Sequence, residues 1–119
     1  VLFDGDGSLL MHVQELETVL RHELDILIVV LNDGAYGSEI HKLRAEGLPE
    51  EGAFFGRTDL AAIARGFGAE GRTLDDLAAV PGLVADWAAT GGTAVWDVPV
   101  NDRILSPVMR RAHPPKAAH

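Results

Sequence analysis

Two short acidic turns that contain glycine each follow an apolar run in this chain. Gly5-Asp6-Gly7-Ser8 follows the apolar residues 1–3, and Asn32-Asp33-Gly34-Ala35-Tyr36-Gly37 follows the apolar residues 26–31. Both runs have the composition of strands, and a helical pattern lies between them. Because the carboxyl ends of parallel strands meet at one edge of a sheet, we expect Asp6 and Asp33 to lie close together there.

The segment between the two turns has apolar residues at helical spacing. They recur every three or four positions, at Leu9, Val13, Leu16, Leu20 and Leu24. This pattern predicts one helix with Ser8 as its N-cap. The continuous apolar run at residues 26–31 is typical of a strand covered on both faces. Strand, helix and strand form a right-handed βαβ unit, which predicts an α/β fold with a parallel sheet and helices on both faces.

Further elements are predicted downstream. They are a short helix near residues 38–45, a helix capped by Asp59, a helix that opens with a capping box at residues 73–76 and is kinked at Pro81-Gly82, and a strand at residues 93–98. We assign residues 1–105 to one α/β domain and residues 106–119 to a tail with three prolines. We expect that tail to be mobile or to pack on a partner.

Composition limits the classes of partner. The 119 residues suffice for one domain, and a formal net charge of −8 disfavours nucleic acid and anionic membranes. The longest apolar stretch is too short to cross a bilayer. The chain contains no cysteine, which fits a reducing compartment, and we expect a cytoplasmic protein. It starts within a predicted strand, so we expect it to be part of a longer polypeptide.

The two turns have the chemistry of a metal-phosphate site. Mg²⁺ takes one or two carboxylates together with phosphate oxygens, and an acidic chain needs such a cation to hold an anion. N–H groups at the start of a helix also face bound phosphates favourably. Gly5 and Gly7 allow the backbone to approach closely.

The turns and their surroundings resemble a known enzyme family. The segment Gly-Asp-Gly-Ser-Leu-Leu-Met-His-Val-Gln-Glu-Leu, the later Ile-Val-Val-Leu-Asn-Asp-Gly-Ala-Tyr-Gly and the segment at residues 59–69 are similar to the diphosphate-binding domain of thiamine-diphosphate enzymes of the acetolactate synthase and 2-oxo-acid decarboxylase group. The resemblance implies thiamine diphosphate and Mg²⁺ as cofactors. The implied metal ligands are the side chains of Asp6 and Asp33 and the carbonyl of Ala35. The implied cofactor-binding residues are Gly5, Asp6, Gly7, Ser8, Asn32, Asp33, Tyr36 and Gly37.

The resemblance also implies a reaction and partners. Such enzymes decarboxylate or join 2-oxo acids, and Glu39 aligns with a glutamate that reaches the substrate in the pyruvate decarboxylase branch. A surface carboxylate is the alternative for Glu39. A separate pyrimidine-binding domain and a further copy of the chain are the implied partners, so the isolated chain is expected to be inactive. Asp4 departs from the pattern, because a neutral residue usually precedes Gly-Asp-Gly.

Two alternative functions remain open on the sequence. A strand followed by Asp-x-Asp-Gly-Ser-Leu resembles the first motif of haloacid-dehalogenase-like phosphatases, in which Asp4 is the nucleophile and Asp6 the general acid. The other motifs of that family are missing. The second alternative is a non-catalytic fragment that retains the fold.

Overall fold

Four parallel strands form the sheet of this protein. The structure is a computed structural model, and it describes residues 1–114. Strand β1 spans Leu2–Gly5, β2 Leu27–Asn32, β3 Glu70–Thr73 and β4 Ala94–Pro99. Their order is β1-β2-β4-β3, and each neighbouring pair is parallel. The predicted α/β class with a parallel sheet is confirmed.

Helices follow or connect the strands. Their bounds are α1 Asp6–Met11, α2 Glu15–Arg21, α3 Gly37–Glu46, α4 Leu60–Phe67, α5 Val80–Thr90 and α6 Pro107–Ala112, with 3₁₀ helices at Glu51–Ala53 and Leu77–Ala79. Among the helices of residues 1–114, none combines the length and apolar character needed to cross a membrane.

Helices lie on both faces of the sheet, but the predicted two-sided cover of β2 is incomplete, because Leu31 is 45% exposed beside the exposed Phe3 of β1. One face, which includes Ile28, Val30 and Val95, contacts α1, α2 and α4. The opposite face, which includes Leu27 and Trp96, contacts α5. Val30 and Val95 are completely buried.

The single helix predicted between β1 and β2 is wrong, because the segment forms two helices. Helix α1 starts at Asp6, with Gly5 in the extended N-cap position, so Ser8 is not the N-cap. Backbone N–H groups of residues 15–17 bond to carbonyls three positions earlier, and this tighter turn separates α1 from α2. Leu9 and Leu16 of the predicted stripe are nevertheless buried.

The capping box predicted at residues 73–76 is also wrong. Thr73 ends strand β3, and the Asp76 carboxylate accepts the Ala78 N–H at 2.9 Å to cap a 3₁₀ helix. Helix α5 begins later, with Pro81 in its first turn. A proline there loses no hydrogen bond, so the predicted kink does not occur.

Two other helix predictions hold. Asp59 caps α4, where its carboxylate accepts the Ala62 N–H at 2.7 Å, and α4 ends at Gly68 in the left-handed conformation. Helix α3 covers the predicted residues 38–45. In the predicted tail, Ser106 caps α6. Residues 115–119 lie outside the described residues, so the behaviour predicted for the tail stays a prediction.

Candidate metal and diphosphate site

A cleft with a volume of about 730 Å³ opens at the carboxyl ends of β1 and β2. It is bounded by the first turn of α1, by the loop at residues 33–37 and by the segment that follows β4. Of the predicted site residues, it is lined by Gly5, Asp6, Gly7, Ser8, Asp33, Ala35, Tyr36, Gly37 and Glu39. The two acidic turns, far apart in the sequence, therefore meet as predicted.

Asp6 is the buried carboxylate of this cleft, with 2% of its surface exposed. Its Oδ2 atom accepts the backbone N–H of Gly34 at 2.8 Å, so the two turns are directly joined. Burial raises the pKa of Asp6 above its ordinary value, the bonds from the Gly34 and Gly7 N–H groups oppose this, and the charge of Asp33 adds to the rise. A cation bound between Asp6 and Asp33 would remove this electrostatic cost.

Asp33 is held by its own loop. Its Oδ1 atom accepts the N–H of Ala35 at 3.2 Å, an Asx-type turn. A Cβ atom at residue 37 would overlap the Asp33 Oδ2 atom, so a larger residue would force the Asp33 carboxylate to move. Gly37 is implied by the sequence resemblance to contact the cofactor, and the space taken by Asp33 gives a second reason for glycine at this position.

The loop at residues 33–37, which we call the metal loop, rests on residues 53–58, which we call the strap. The carbonyl of Gly34 accepts the N–H groups of Phe55 at 3.1 Å and Gly56 at 2.9 Å, and the Tyr36 N–H bonds to the Ala53 carbonyl at 2.9 Å. The rings of Tyr36 and Phe55 meet edge to face, with centroids 5.1 Å apart. The strap therefore fixes the metal loop by backbone bonds and by one aromatic contact.

Gly7 lies under the ring of Tyr36. A Cβ atom at residue 7 would come within 2.9 Å of two ring carbons, closer than such atoms pack. Tyr36 is 45% exposed and lines the cleft, so its ring covers the start of α1 without being buried. The structure thus gives Tyr36 a packing role over the turn that follows β1.

Asn32 does not line the cleft, although it was predicted to bind the cofactor. Its side-chain amide donates to the Asp97 Oδ1 atom at 2.9 Å and to the Thr58 carbonyl at 3.1 Å. The side chain is therefore directed towards β4 and the strap. The apolar strand β2 predicted that Asn32 lies at the sheet edge but could not predict which way its side chain points.

Glu39 lies at the start of α3 and lines the cleft as an exposed carboxylate. Lys42 donates to its Oε1 atom at 2.7 Å. The hydrogen bond and the charge of Lys42 lower the pKa of Glu39, so this group is present as an anion. A carboxylate in this state accepts hydrogen bonds and does not act as an acid near neutral pH.

Several cleft residues were missed by sequence reasoning. They are Met11, Leu31, Ser38, His41, Val100, Asn101 and Ile104. The segment after β4 forms one wall of the cleft, and two arginines bond to its backbone. Arg57 donates to the Val100 carbonyl at 2.6 Å, and Arg44 donates to the Asp102 carbonyl at 3.1 Å. The loop composition after β4 carries no signal for this wall, because it depends on contacts between distant segments.

The donor set suits Mg²⁺ bound together with a phosphate. Within residues 1–114, no group of three or more His, Cys, Asp or Glu side chains is arranged to hold a metal ion. Asp6 and Asp33 provide two carboxylates, and Ala35, which also lines the cleft, has a backbone carbonyl. Mg²⁺ characteristically uses one or two carboxylates and completes its octahedron with phosphate oxygens and water. The residues present therefore fit such an ion.

Asp6→Asn is expected to make the metal-free chain more stable at neutral pH. Ionised Asp6 is disfavoured in the folded state because its pKa is raised by burial, so wild-type stability falls as pH rises from about 3.8, the ordinary pKa, through the folded value. An amide keeps an oxygen for the Gly34 N–H without the charge. Urea unfolding in EDTA between pH 3 and 7 measures the difference.

The stability advantage of Asp6→Asn should be small below the ordinary pKa and should grow as pH rises. Asp86→Asn, which changes an exposed carboxylate on α5, serves as the control and should show no such trend. A variant less stable than wild type at pH 7 would contradict the electrostatic account of Asp6.

Comparisons with known proteins find a matching family and similar chains. The family model described as "Thiamine pyrophosphate enzyme, C-terminal TPP binding domain" matches residues 1–98. The chain is 34% identical over 103 residues to a putative acetolactate synthase large subunit of Mycobacterium tuberculosis, covering 87% of the chain and 19% of that protein. It is 30% identical over 105 residues to acetolactate synthase of Bacillus subtilis, covering 85% and 18%.

A solved structure shares the fold. Benzoylformate decarboxylase from Polynucleobacter necessarius superposes with a TM-score of 0.79 at 23% identity, over 87% of this chain and 20% of that one. The chain spans about a fifth of the length of the relatives it matches. The phosphatase alternative is not supported by these comparisons. Asp4 instead accepts the Gly5 N–H at 2.9 Å and pairs with His12 at 3.4 Å.

Proposed function

From the premise that the chain belongs to the thiamine pyrophosphate enzymes, as their C-terminal TPP binding domain, we propose that it binds the diphosphate of thiamine diphosphate through Mg²⁺. One observation carries this proposal: Asp6 and Asp33, from two separate turns, line one cleft beside the first turn of α1. Asp6 and Asp33 would supply carboxylate oxygens to the ion, and Ala35 its carbonyl. The ion would neutralise both the carboxylates and the diphosphate.

The first turn of α1 would bind the phosphate oxygens. The N–H groups of the first helical residues have no backbone acceptor within the helix, and both Gly7 and Ser8 line the cleft, although the Gly7 N–H also interacts with the Asp6 carboxylate. The partial positive charge of a helix N-terminus adds to this attraction. Gly7 keeps the backbone accessible beneath Tyr36, where any larger residue would collide with the ring.

We further propose that the domain serves an enzyme acting on a 2-oxo acid, by acetolactate-synthase-like carboligation or by decarboxylation. When bound, thiamine diphosphate supplies the carbanion chemistry, and the protein supplies position and charge. The relatives named as acetolactate synthases support this substrate class. Glu39 would face the substrate as an anion, since Lys42 keeps it ionised.

The cofactor's other half requires partners. We propose a pyrimidine-binding domain and a second copy of the chain as these partners, as the resemblance to the family implies. The isolated chain should therefore bind cofactor weakly and should not turn over substrate. Measurable pyruvate decarboxylation by the purified chain would contradict this part of the proposal.

Amide NMR of the chain tests the proposed binding. Thiamine diphosphate with Mg²⁺ should shift amides at residues 5–8 and 33–37, with millimolar affinity, or about −4 kcal/mol, as expected for half a binding site. The same titration in EDTA, and one with thiamine lacking phosphate, are the controls and should leave these amides unchanged. A well-folded spectrum without metal-dependent shifts would instead support a fragment that retains the fold without the site.

A further inference from the structure

Asp97 is a buried carboxylate in the middle of the apolar strand β4, with 4% of its surface exposed. Its Oδ1 atom accepts the Asn32 amide at 2.9 Å, and its Oδ2 atom accepts the backbone N–H of Leu60 at 3.2 Å. It does not line the cleft. Burying a carboxylate destabilises the folded state unless hydrogen-bond donors surround it. A carboxylate within an otherwise apolar strand therefore suggests a specific role.

Asn32 connects this carboxylate to the strap. One amide hydrogen goes to Asp97, and the other goes to the Thr58 carbonyl at 3.1 Å. Asn32 itself is 2% exposed and is the last residue of β2, immediately before Asp33. The pair therefore ties together β2, β4 and the end of the strap.

The other end of the strap holds the metal loop. Phe55 and Gly56 both donate to the carbonyl of Gly34, whose N–H in turn donates to Asp6. A continuous path of hydrogen bonds and strap backbone thus runs from Asp97 to the Asp6 carboxylate. Asp33 lies between the two ends, because it follows Asn32 and precedes Gly34.

We propose that Asp97, acting through Asn32, is a positioning residue for the Mg²⁺-diphosphate site. This inference rests on the proposed function. Asp97 touches neither metal nor phosphate; it fixes the strap and the end of β2, and these set the distance between Asp6 and Asp33. Groups that orient metal ligands in this way typically change metal affinity by 10–100-fold when removed.

A purely structural role for Asp97 is testable because Asp59 provides a matched control. Both carboxylates accept backbone N–H groups at the N-terminus of α4, Asp97 from Leu60 and Asp59 from Ala62. Only Asp97 also bonds to Asn32. If Asp97 simply caps α4, Asp97→Asn and Asp59→Asn should affect cofactor binding alike.

The experiment titrates wild type, Asp97→Asn and Asp59→Asn with Mg²⁺ and thiamine diphosphate and follows binding by amide NMR. The solution conditions are chosen so that all three proteins are fully folded. Asn32 and Leu60 donate to different oxygens of Asp97, and an amide keeps oxygen at only one of these positions, so Asp97→Asn should bind about 10-fold more weakly. Asp59→Asn should lose much less affinity than this, since the path from Asp97 to Asp6 is intact. Equal affinities for the two variants would overturn the proposal.

A second readout needs no ligand. Hydrogen exchange of the Gly34 amide in EDTA should accelerate in Asp97→Asn and not in Asp59→Asn, because only the first loosens the strap. If wild type does not respond to Mg²⁺ and thiamine diphosphate, the proposed function fails. The hydrogen-exchange comparison then still tests whether Asp97 is coupled to the Gly34 amide. Equal protection of this amide in the two variants would overturn the proposal. Should Asp97→Asn not fold, Asn32→Ser removes the same link while leaving the bond from Leu60 to Asp97.

Discussion

Asp6→Asn is expected to abolish the Mg²⁺-dependent binding of thiamine diphosphate while the chain stays folded. One carboxylate oxygen of Asp6 accepts the Gly34 N–H at 2.8 Å, which leaves the other for the metal. An amide has a single oxygen, so the variant cannot serve both. Removing residues that only orient ligands costs 10–100-fold, and losing a ligand should cost at least about 100-fold. From a millimolar starting point, no binding should be detectable by the amide titration.

Asp33→Asn is the matched control for Asp6→Asn. The bond from the Ala35 N–H to Asp33 is longer, 3.2 Å, and only partly buried, so water can replace it when the amide oxygen turns to the metal. Binding should therefore survive within about 10-fold, the lower limit for removing a group that only orients a metal ligand. Equal loss in both variants, or unchanged binding in Asp6→Asn, would contradict the assigned roles.

The two Asp6→Asn expectations point in opposite directions, which is informative about the site. The metal-free variant should be more stable than the metal-free wild type, and it should not bind thiamine diphosphate with Mg²⁺. Functional sites commonly keep such unfavourable electrostatics, because the same arrangement that strains the empty site binds the ligand. A variant that lost both stability and binding would instead indicate a general structural role for Asp6.

The place of the cleft followed from the sequence because it depends on strand ends. The apolar residues before Gly5 and before Asn32 fix where β1 and β2 stop, and parallel pairing brings Asp6 and Asp33 to the same edge. The direction of Asn32 did not follow. Its partners Asp97 and Thr58 come from distant segments, and the only signal was a carboxylate within the apolar run of β4.

Strand β3 could not be predicted from its own residues. Glu70-Gly71-Arg72-Thr73 has neither an apolar alternation nor β-branched residues apart from the last. It forms a strand because it pairs with β4 and lies against α4, where Arg65 donates to the Gly71 carbonyl at 2.8 Å. Tertiary contacts override weak local preference in such segments. The same limit explains why the break between α1 and α2 was missed.

Gly71→Ala is expected to lower the free energy of unfolding by about 3 kcal/mol, near the upper end for overpacked sites. A Cβ atom at residue 71 would overlap the carbonyl oxygen of Ala61 in α4 and would lie 2.9 Å from its carbonyl carbon. Backbone atoms cannot rotate away, so α4 and β3 would have to separate. Ala61 and its neighbour Leu60 are buried, and moving α4 therefore disturbs the core. Urea unfolding followed by far-UV circular dichroism measures the loss.

Gly66→Ala separates this steric effect from the general effect of adding a methyl group. Gly66 lies within α4, and a Cβ atom there would meet nothing within 4 Å. Alanine is favoured over glycine in a helix by about 0.8–1.0 kcal/mol, so this variant should be stabilised. If Gly71→Ala were as stable as wild type, β3 could not pack closely against α4.

A shift of α4 in Gly71→Ala should also affect the site. Asp97 bonds to the N–H of Leu60 at the start of α4, so moving this helix should weaken the contacts by which Asp97 positions the metal loop.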